Sequence, residues 1–237
     1  MPARPCCRCT RAGMQVKSGV LVTQIMNEPV EQKGAERMTL AADRWEQAMT
    51  PDEYMSQMVE NRERFESNIA RTRIMPGDWA AFGQEPVRIL VLTEDWCGDS
   101  AQFVPMVVKL AQEIPTVEVR ILGRDQHTDL ANRYRRTDGY QAIPVFIVLD
   151  SEMQELGALI ERPERATAEI VEEQKRFLAA HPELPGGNRA FDRMPEETRQ
   201  AIKQHIAAWR EEQFDRWTRY LMEDLAEIAK SVRIRAA

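Results

Sequence analysis

The feature that most constrains the fold is an apolar strand that ends in a cysteine-bearing turn and leads directly into a helix. The segment VRILVLT at residues 87–93 is rich in aliphatic and β-branched side chains, which is typical of a buried strand. Cys97 follows this strand, and apolar residues then recur at helical spacing over 103–114. The sequence therefore places one cysteine where a buried strand gives way to a helix.

Strand-like and helical segments alternate through the middle of the chain. Further strands are indicated at residues 117–122, 144–149 and 155–160, and further helices at 128–136 and 163–180. Such alternation predicts an α/β fold in which helices cover both faces of a central sheet.

The chain extends beyond this region at its N-terminal end. Residues 1–37 lack periodicity and are expected to form a disordered tail, whereas residues 38–183 are assigned to the α/β domain with an N-terminal helical extension. The sequence TPDE at 50–53 predicts a helix start with a capping box, and apolar residues from 55 to 69 then share one helical face. Pro76-Gly77 indicates a short turn before the first strand.

The C-terminal region, residues 184–237, is predicted to contain a linker and one long helix over 195–232. An apolar stripe on this helix includes Trp209, Trp217 and Leu221. Because an isolated helix gains most of its stability by burying such a stripe, we expect it to pack on the N-terminal helix around Phe65 in the same chain.

Composition excludes several classes of function. The balance of 32 basic and 38 acidic residues gives a formal charge of −6, which argues against a general nucleic-acid binder. No apolar run is long enough to span a bilayer. Three of the four cysteines crowd together at positions 6, 7 and 9, which fits neither a secreted disulfide framework nor a closed zinc site. We therefore expect a cytoplasmic protein without a cofactor, a metal, or a nucleic-acid or membrane partner.

The fourth cysteine, Cys97, is the candidate nucleophile. Ligands of open α/β sheets gather at the carboxyl ends of the strands, and a helix N-terminus offers unpaired N–H groups and a partial positive charge. A cysteine at such a place has its thiolate favoured, and the thiolate is the reactive form. The sequence therefore indicates the sulfur of Cys97 as the reactive atom.

Four short motifs in matching order carry a resemblance to a known family. They are Trp96-Cys97-Gly98, Pro105 eight residues after the cysteine, AIPVF at 142–146 and LGA at 156–158. They resemble the thioredoxin family, whose motif is Trp-Cys-Gly-Pro-Cys, and more particularly a bacterial thioredoxin-like subfamily with the motif Glu-Asp-Trp-Cys-Gly-Asp-Ser. The resemblance implies a thioredoxin-like three-layer α/β sandwich with helical N- and C-terminal extensions.

The same resemblance implies which residues contact a substrate. The family's cis-proline segment, which faces the reactive cysteine, corresponds here to Ile143 and Pro144. Together with Trp96 and Gly98, these residues are expected to line a groove beside Cys97.

Three positions depart from the family pattern. Ser100 replaces the second cysteine, Asp99 replaces the proline, and Val91 stands where thioredoxins carry a buried acid. The Asp99 carboxylate is expected to compete with the thiolate for the positive helix end, although it can also cap the helix. The Ser100 hydroxyl can donate to the thiolate. These departures argue against an ordinary dithiol reductase.

Two functions of different class remain compatible with the sequence. In the first, Cys97 carries out monothiol thiol–disulfide exchange, with Ser100 and Asp99 beside it and a resolving thiol from glutathione or a partner protein. In the second, Cys97 is inert and the groove beside Pro144 binds an extended peptide without catalysis. A third alternative is a peroxide sensor that passes through a sulfenic acid.

Overall fold

The computed structural model describes residues 43–230, whose centre is a mixed four-stranded sheet with helices on both faces. The strands are β1 (Val87–Thr93), β2 (Val117–Gly123), β3 (Val145–Leu149) and β4 (Glu155–Ile160), in the order β2-β1-β3-β4. β1 is parallel to β2 and antiparallel to β3, and β3 is antiparallel to β4. This arrangement confirms the predicted thioredoxin-like α/β fold.

Eight α-helices of the described range surround the sheet, after a helical segment at 43–47. They are α1 (Pro51–Gln57), α2 (Arg62–Arg71), α3 (Pro76–Phe82), α4 (Gly98–Glu113), α5 (Thr128–Ala131), α6 (Glu164–Ala180), α7 (Glu196–Glu212) and α8 (Phe214–Ala229). A 3₁₀ turn at Phe191–Arg193 precedes α7. The helix expected over 128–136 is shorter than predicted, because turns replace it after Ala131.

The central strand β1 divides the core into two layers. Successive side chains of a strand point to opposite faces, so Ile89 and Val91 join one cluster while Leu90 and Leu92 join the other. All four side chains are completely buried, and each contributes about 1.5–3 kcal/mol of burial free energy. This burial fixes the carboxyl end of β1, from which the turn to Cys97 begins.

The N-terminal extension begins with the predicted capping box. The Glu53 amide donates to the Thr50 hydroxyl at 3.2 Å, and the Thr50 amide donates to the Glu53 carboxylate at 2.7 Å. The single apolar helix expected over 55–69 is wrong, since the chain breaks between α1 and α2 with Asn61 at a φ of 56°. The break lets Met58 and Phe65 both reach the main core. The turn expected at 76–77 is the start of α3, where Pro76 takes the first helical position.

The C-terminal region also differs from its prediction. Instead of one long helix there are two, α7 and α8, which meet at Gln213 with φ −90° and ψ −2°. The apolar stripe divides at this point, because α7 buries Ile202 and Ile206 in a small cluster against α6, whereas α8 buries Trp217 in the main core. The predicted end at residue 232 lies outside the described residues.

Both C-terminal helices dock within the same chain. α8 packs on β3, β4, α3, α4 and α6, so its main support is the domain itself rather than the N-terminal helix. The expected pairing with the N-terminal extension is present at one edge, where the Arg71 guanidinium lies 3.5 Å from the Phe214 ring centroid. Arg64 and Arg71 also donate to the carboxylate of Glu211. Within residues 43–230, no helix has the length and apolar character that a bilayer crossing requires.

Candidate functional site

Cys97 lies where β1 has ended and α4 begins. It is the N-cap residue of α4, and its carbonyl accepts the first helical bond from the Ala101 amide at 2.9 Å. Its thiol is partly exposed and donates to the carbonyl oxygen of Ile143 at 3.5 Å. The helix N-terminus and the segment before β3 therefore meet at this sulfur.

The segment facing Cys97 is held tightly. The Ile143–Pro144 peptide bond is cis, both residues are buried, and the Pro144 carbonyl accepts from the Glu161 amide at 2.7 Å. The structure therefore brings together three of the predicted site residues, namely Cys97, Ile143 and Pro144.

The two motif residues that flank Cys97 are open to solvent. Trp96 is 48% exposed, and the Arg124 guanidinium lies 5.5 Å from its ring centroid. Gly98 is exposed, and a Cβ atom added there would meet nothing within 4 Å. The partly exposed thiol is therefore flanked on both sides in sequence by exposed residues.

Ser100 lies one helical turn after Cys97 and points inward. It is 2% exposed, and its hydroxyl is a buried polar atom without a hydrogen-bond partner. The expected hydrogen bond from this hydroxyl to the sulfur of Cys97 is therefore not formed here. The position that holds a second thiol in the family motif is packed in the protein interior.

The Asp99 carboxylate, which was expected to compete with the thiolate, is paired with two arginines. Its two oxygens accept from the guanidinium of Arg162, at 2.6 Å, and from that of Arg210. Burial opposes ionisation, but the charges of Arg210 and Arg162 outweigh it and hold the pKa of Asp99 below its ordinary value. The expected competition with the thiolate is thus offset by two positive charges.

Arg162 and Arg210 were not recognisable as site residues from the sequence. They lie 63 and 111 residues after Asp99, outside every motif, so no local signal connects them to the site. Arg210 belongs to α7 and also donates to the Gln102 side chain at 2.8 Å. The C-terminal extension is therefore bonded directly to the first turn of the helix that bears Cys97.

The two acids before Trp96 hold neighbouring loops in place. Asp95 accepts from the amides of Val59 and Glu60, at 2.7 and 3.0 Å, which ties the break between α1 and α2 to the motif. Glu94 accepts from the Asp125 amide at 2.7 Å, and burial raises its pKa. Neither role was foreseen from the sequence.

Across residues 43–230 there is no group of three or more His, Cys, Asp or Glu side chains that could hold a metal ion. Cys97 is the only cysteine in that range, and Val91, which stands at the position of the family's buried acid, is apolar and completely buried. Cys6, Cys7 and Cys9 lie outside the described residues.

Comparisons with known proteins agree with this geometry. A family model described as Thioredoxin matches residues 48–175, which is more than half of the chain. A crystal structure of a protein of unknown function from Pseudomonas aeruginosa is similar, with a TM-score of 0.54 and 16% identity over 81% of this chain and 97% of that chain. An HIV epitope-scaffold is similar at a TM-score of 0.51 and 15% identity, over 83% of this chain and 97% of that one. No curated protein matches the sequence.

Proposed function

Because the chain belongs to the thioredoxin family, we propose that it performs thiol–disulfide exchange through Cys97 alone, with the second thiol supplied from outside. The observation that carries this proposal is the pairing of a partly exposed Cys97 at a helix N-terminus with Ser100 one turn later. The first feature favours a reactive thiolate, and the second removes the internal resolving thiol.

The proposed reaction has two steps in which electrons and protons balance. The Cys97 thiolate attacks one sulfur of a disulfide, a new S–S bond forms, and the other sulfur leaves as a thiolate that takes up a proton. An external thiolate then attacks the sulfur that is bound to Cys97, a new S–S bond forms between these two sulfurs, and Cys97 leaves as a thiolate. Glutathione or a protein thiol is the attacking thiol in this second step. A reducing compartment such as the cytoplasm contains both kinds of thiol.

The surroundings of Cys97 support roles for four further residues. Ile143 and Pro144 form a wall against which the incoming disulfide lies, because the Ile143 carbonyl already accepts a hydrogen bond from the Cys97 thiol. Trp96 offers an exposed ring next to Cys97 in the chain, and Gly98 leaves room for a partner's backbone. Asp99 acts through its arginine partners rather than on the substrate.

A non-catalytic binding module is the second candidate. It is favoured by Val91, since the buried acid that serves proton transfer in dithiol thioredoxins is replaced by a buried apolar side chain. In this alternative the groove beside Pro144 pairs with an extended peptide backbone, and the Cys97 thiol only packs against Ile143.

The deciding experiment treats the reduced full-length protein with glutathione disulfide. Peptide mass spectrometry, which separates Cys97 from the three N-terminal cysteines, is expected to find one glutathionyl group on Cys97 that reduced glutathione removes. Cys97→Ser is the control that carries no such group. An unmodified Cys97, at reagent levels that modify an unfolded peptide of the same sequence, would leave the binding module as the better account.

A further inference from the structure

The Asp99 carboxylate joins the reactive helix to the C-terminal extension. Asp99 lies in the first turn of α4, two residues after Cys97, and accepts from Arg162 on one oxygen and Arg210 on the other. All three side chains are largely buried, with exposed fractions of 13–16%. Screening by solvent is therefore weak within this group of charges.

The ion pairs continue away from Asp99 as a neutral network. It contains three guanidiniums and three carboxylates, on Arg210, Arg162, Arg136, Asp99, Glu161 and Asp138. Arg162 lies between β4 and α6, and the outer pair lies in the loop after α5. Removing Arg210 would leave this network with one uncompensated negative charge at the α4 N-terminus.

We propose that Arg210 of the C-terminal extension is a positioning residue that keeps Cys97 reactive by neutralising Asp99. With Asp99 paired, the partial positive charge of the α4 N-terminus remains available to the thiolate. Without Arg210, the carboxylate repels the thiolate and the neutral thiol is favoured. The inference rests on the proposed function in one respect, since it concerns the thiolate that the exchange requires.

The other ionisable groups around Cys97 do not take the place of Asp99. Glu94 and Asp95, from the same turn, are bonded to backbone amides of residues outside the C-terminal region. Tyr54 of α1 faces the site from the N-terminal extension, and burial raises its pKa, so it is neutral near neutral pH. Asp99 is therefore the acid through which α7 influences the sulfur.

The test measures the rate of Cys97 alkylation by iodoacetamide in the full-length protein, followed by peptide mass spectrometry from about pH 6 to about pH 10. Arg210→Gln is expected to react roughly three- to tenfold more slowly near pH 7, with its pH profile moved to higher pH. Asp99→Asn is expected to react faster than wild type. The double variant is expected to return close to the wild-type profile, because the network is neutral again.

Two controls separate charge from docking. Arg210→Lys keeps the charge and is expected to restore most of the rate. Arg219→Gln removes a different anchor of the C-terminal extension, the pair with Asp78 at 2.9 Å, and is expected to leave the Cys97 profile unchanged. An equal loss in Arg219→Gln, or an unchanged profile in folded Arg210→Gln, would overturn the proposal.

Two further outcomes remain decisive. If Arg210→Gln does not fold, the alkylation rate of Asp99→Asn is compared with that of wild type instead. The proposal is overturned if Asp99→Asn reacts no faster than wild type. Alkylation needs no disulfide partner, so it reports on Arg210 even if glutathione disulfide never modifies Cys97. Failure of the exchange reaction and failure of this inference are therefore observed separately.

Discussion

The side-chain amide of Asn68 donates a hydrogen bond to the carbonyl oxygen of Ala101 at 2.8 Å. Four residues after Ala101 the helix carries Pro105, which has no amide hydrogen to give to that carbonyl. Both Asn68 and Ala101 are buried. The N-terminal extension thus supplies a donor that the helix bearing Cys97 cannot supply for itself.

Asn68→Ala is expected to lower the free energy of unfolding by about 1–3 kcal/mol, because it leaves a buried carbonyl unsatisfied. The loss should be clearly smaller in a Pro105→Ala background, where the new amide can bond to the Ala101 carbonyl. Urea denaturation of the four proteins measures this coupling. Equal losses in both backgrounds would show that the hydrogen bond does not compensate for the proline.

Ser100→Cys is expected to convert monothiol exchange into dithiol exchange. Ser100 has no hydrogen bond to lose, and a buried thiol packs well, so the stability should change by less than about 1 kcal/mol. The glutathionyl group on Cys97 should then be displaced by the new thiol, giving an intramolecular disulfide that mass spectrometry detects. Ser100→Ala is the matched control and should retain the adduct; a persistent adduct in both variants contradicts the prediction.

Trp217→Ala is expected to cost about 3–5 kcal/mol of stability. Trp217 is completely buried, its ring lies 6.2 Å from that of Phe103, and its indole N–H donates to Glu169 at 2.7 Å. Trp79, which is 44% exposed, provides the comparison, and Trp79→Ala should cost less than about 1 kcal/mol. Thermal and urea unfolding measure the stability loss of each variant. Similar losses in Trp217→Ala and Trp79→Ala would mean that burial of its apolar stripe does not stabilise α8.

The decrease in the free energy of unfolding at acidic pH should depend on Asp99. Its pKa in the folded protein lies below the ordinary value of 3.8, so its stabilising contribution is complete above that value and is lost as pH falls through the folded pKa. Asp99→Asn is therefore expected to be less stable than wild type at neutral pH, by on the order of 2 kcal/mol. The difference should shrink in strong acid. Urea unfolding at neutral and acidic pH measures it, and a constant difference would rule out the ion pairs as its source.

The local sequence pattern was sufficient to predict the secondary-structure elements around the site. The strand over 87–93 and the capping box at Thr50 depend on residues close in sequence, and the structure has both where they were predicted. The position of Cys97 at the start of a helix follows from the same local rules, because the end of an apolar strand and the onset of helical periodicity lie only a few residues apart.

Only the tertiary structure decided how the extensions bear on that site. The apolar stripe skips one turn between Trp209 and Trp217 but keeps its helical phase, so the sequence predicted one helix and did not mark Gln213 as the break at which α8 turns onto the core. The pairing of Asp99 with Arg210, which is 111 residues away, could not be predicted either, because the sequence around a charged residue does not indicate which distant residue it pairs with. The sequence by itself determined that a cysteine would lie at a helix N-terminus. Packing of the C-terminal helices decided which charges surround it, because burial and proximity arise only when distant segments meet.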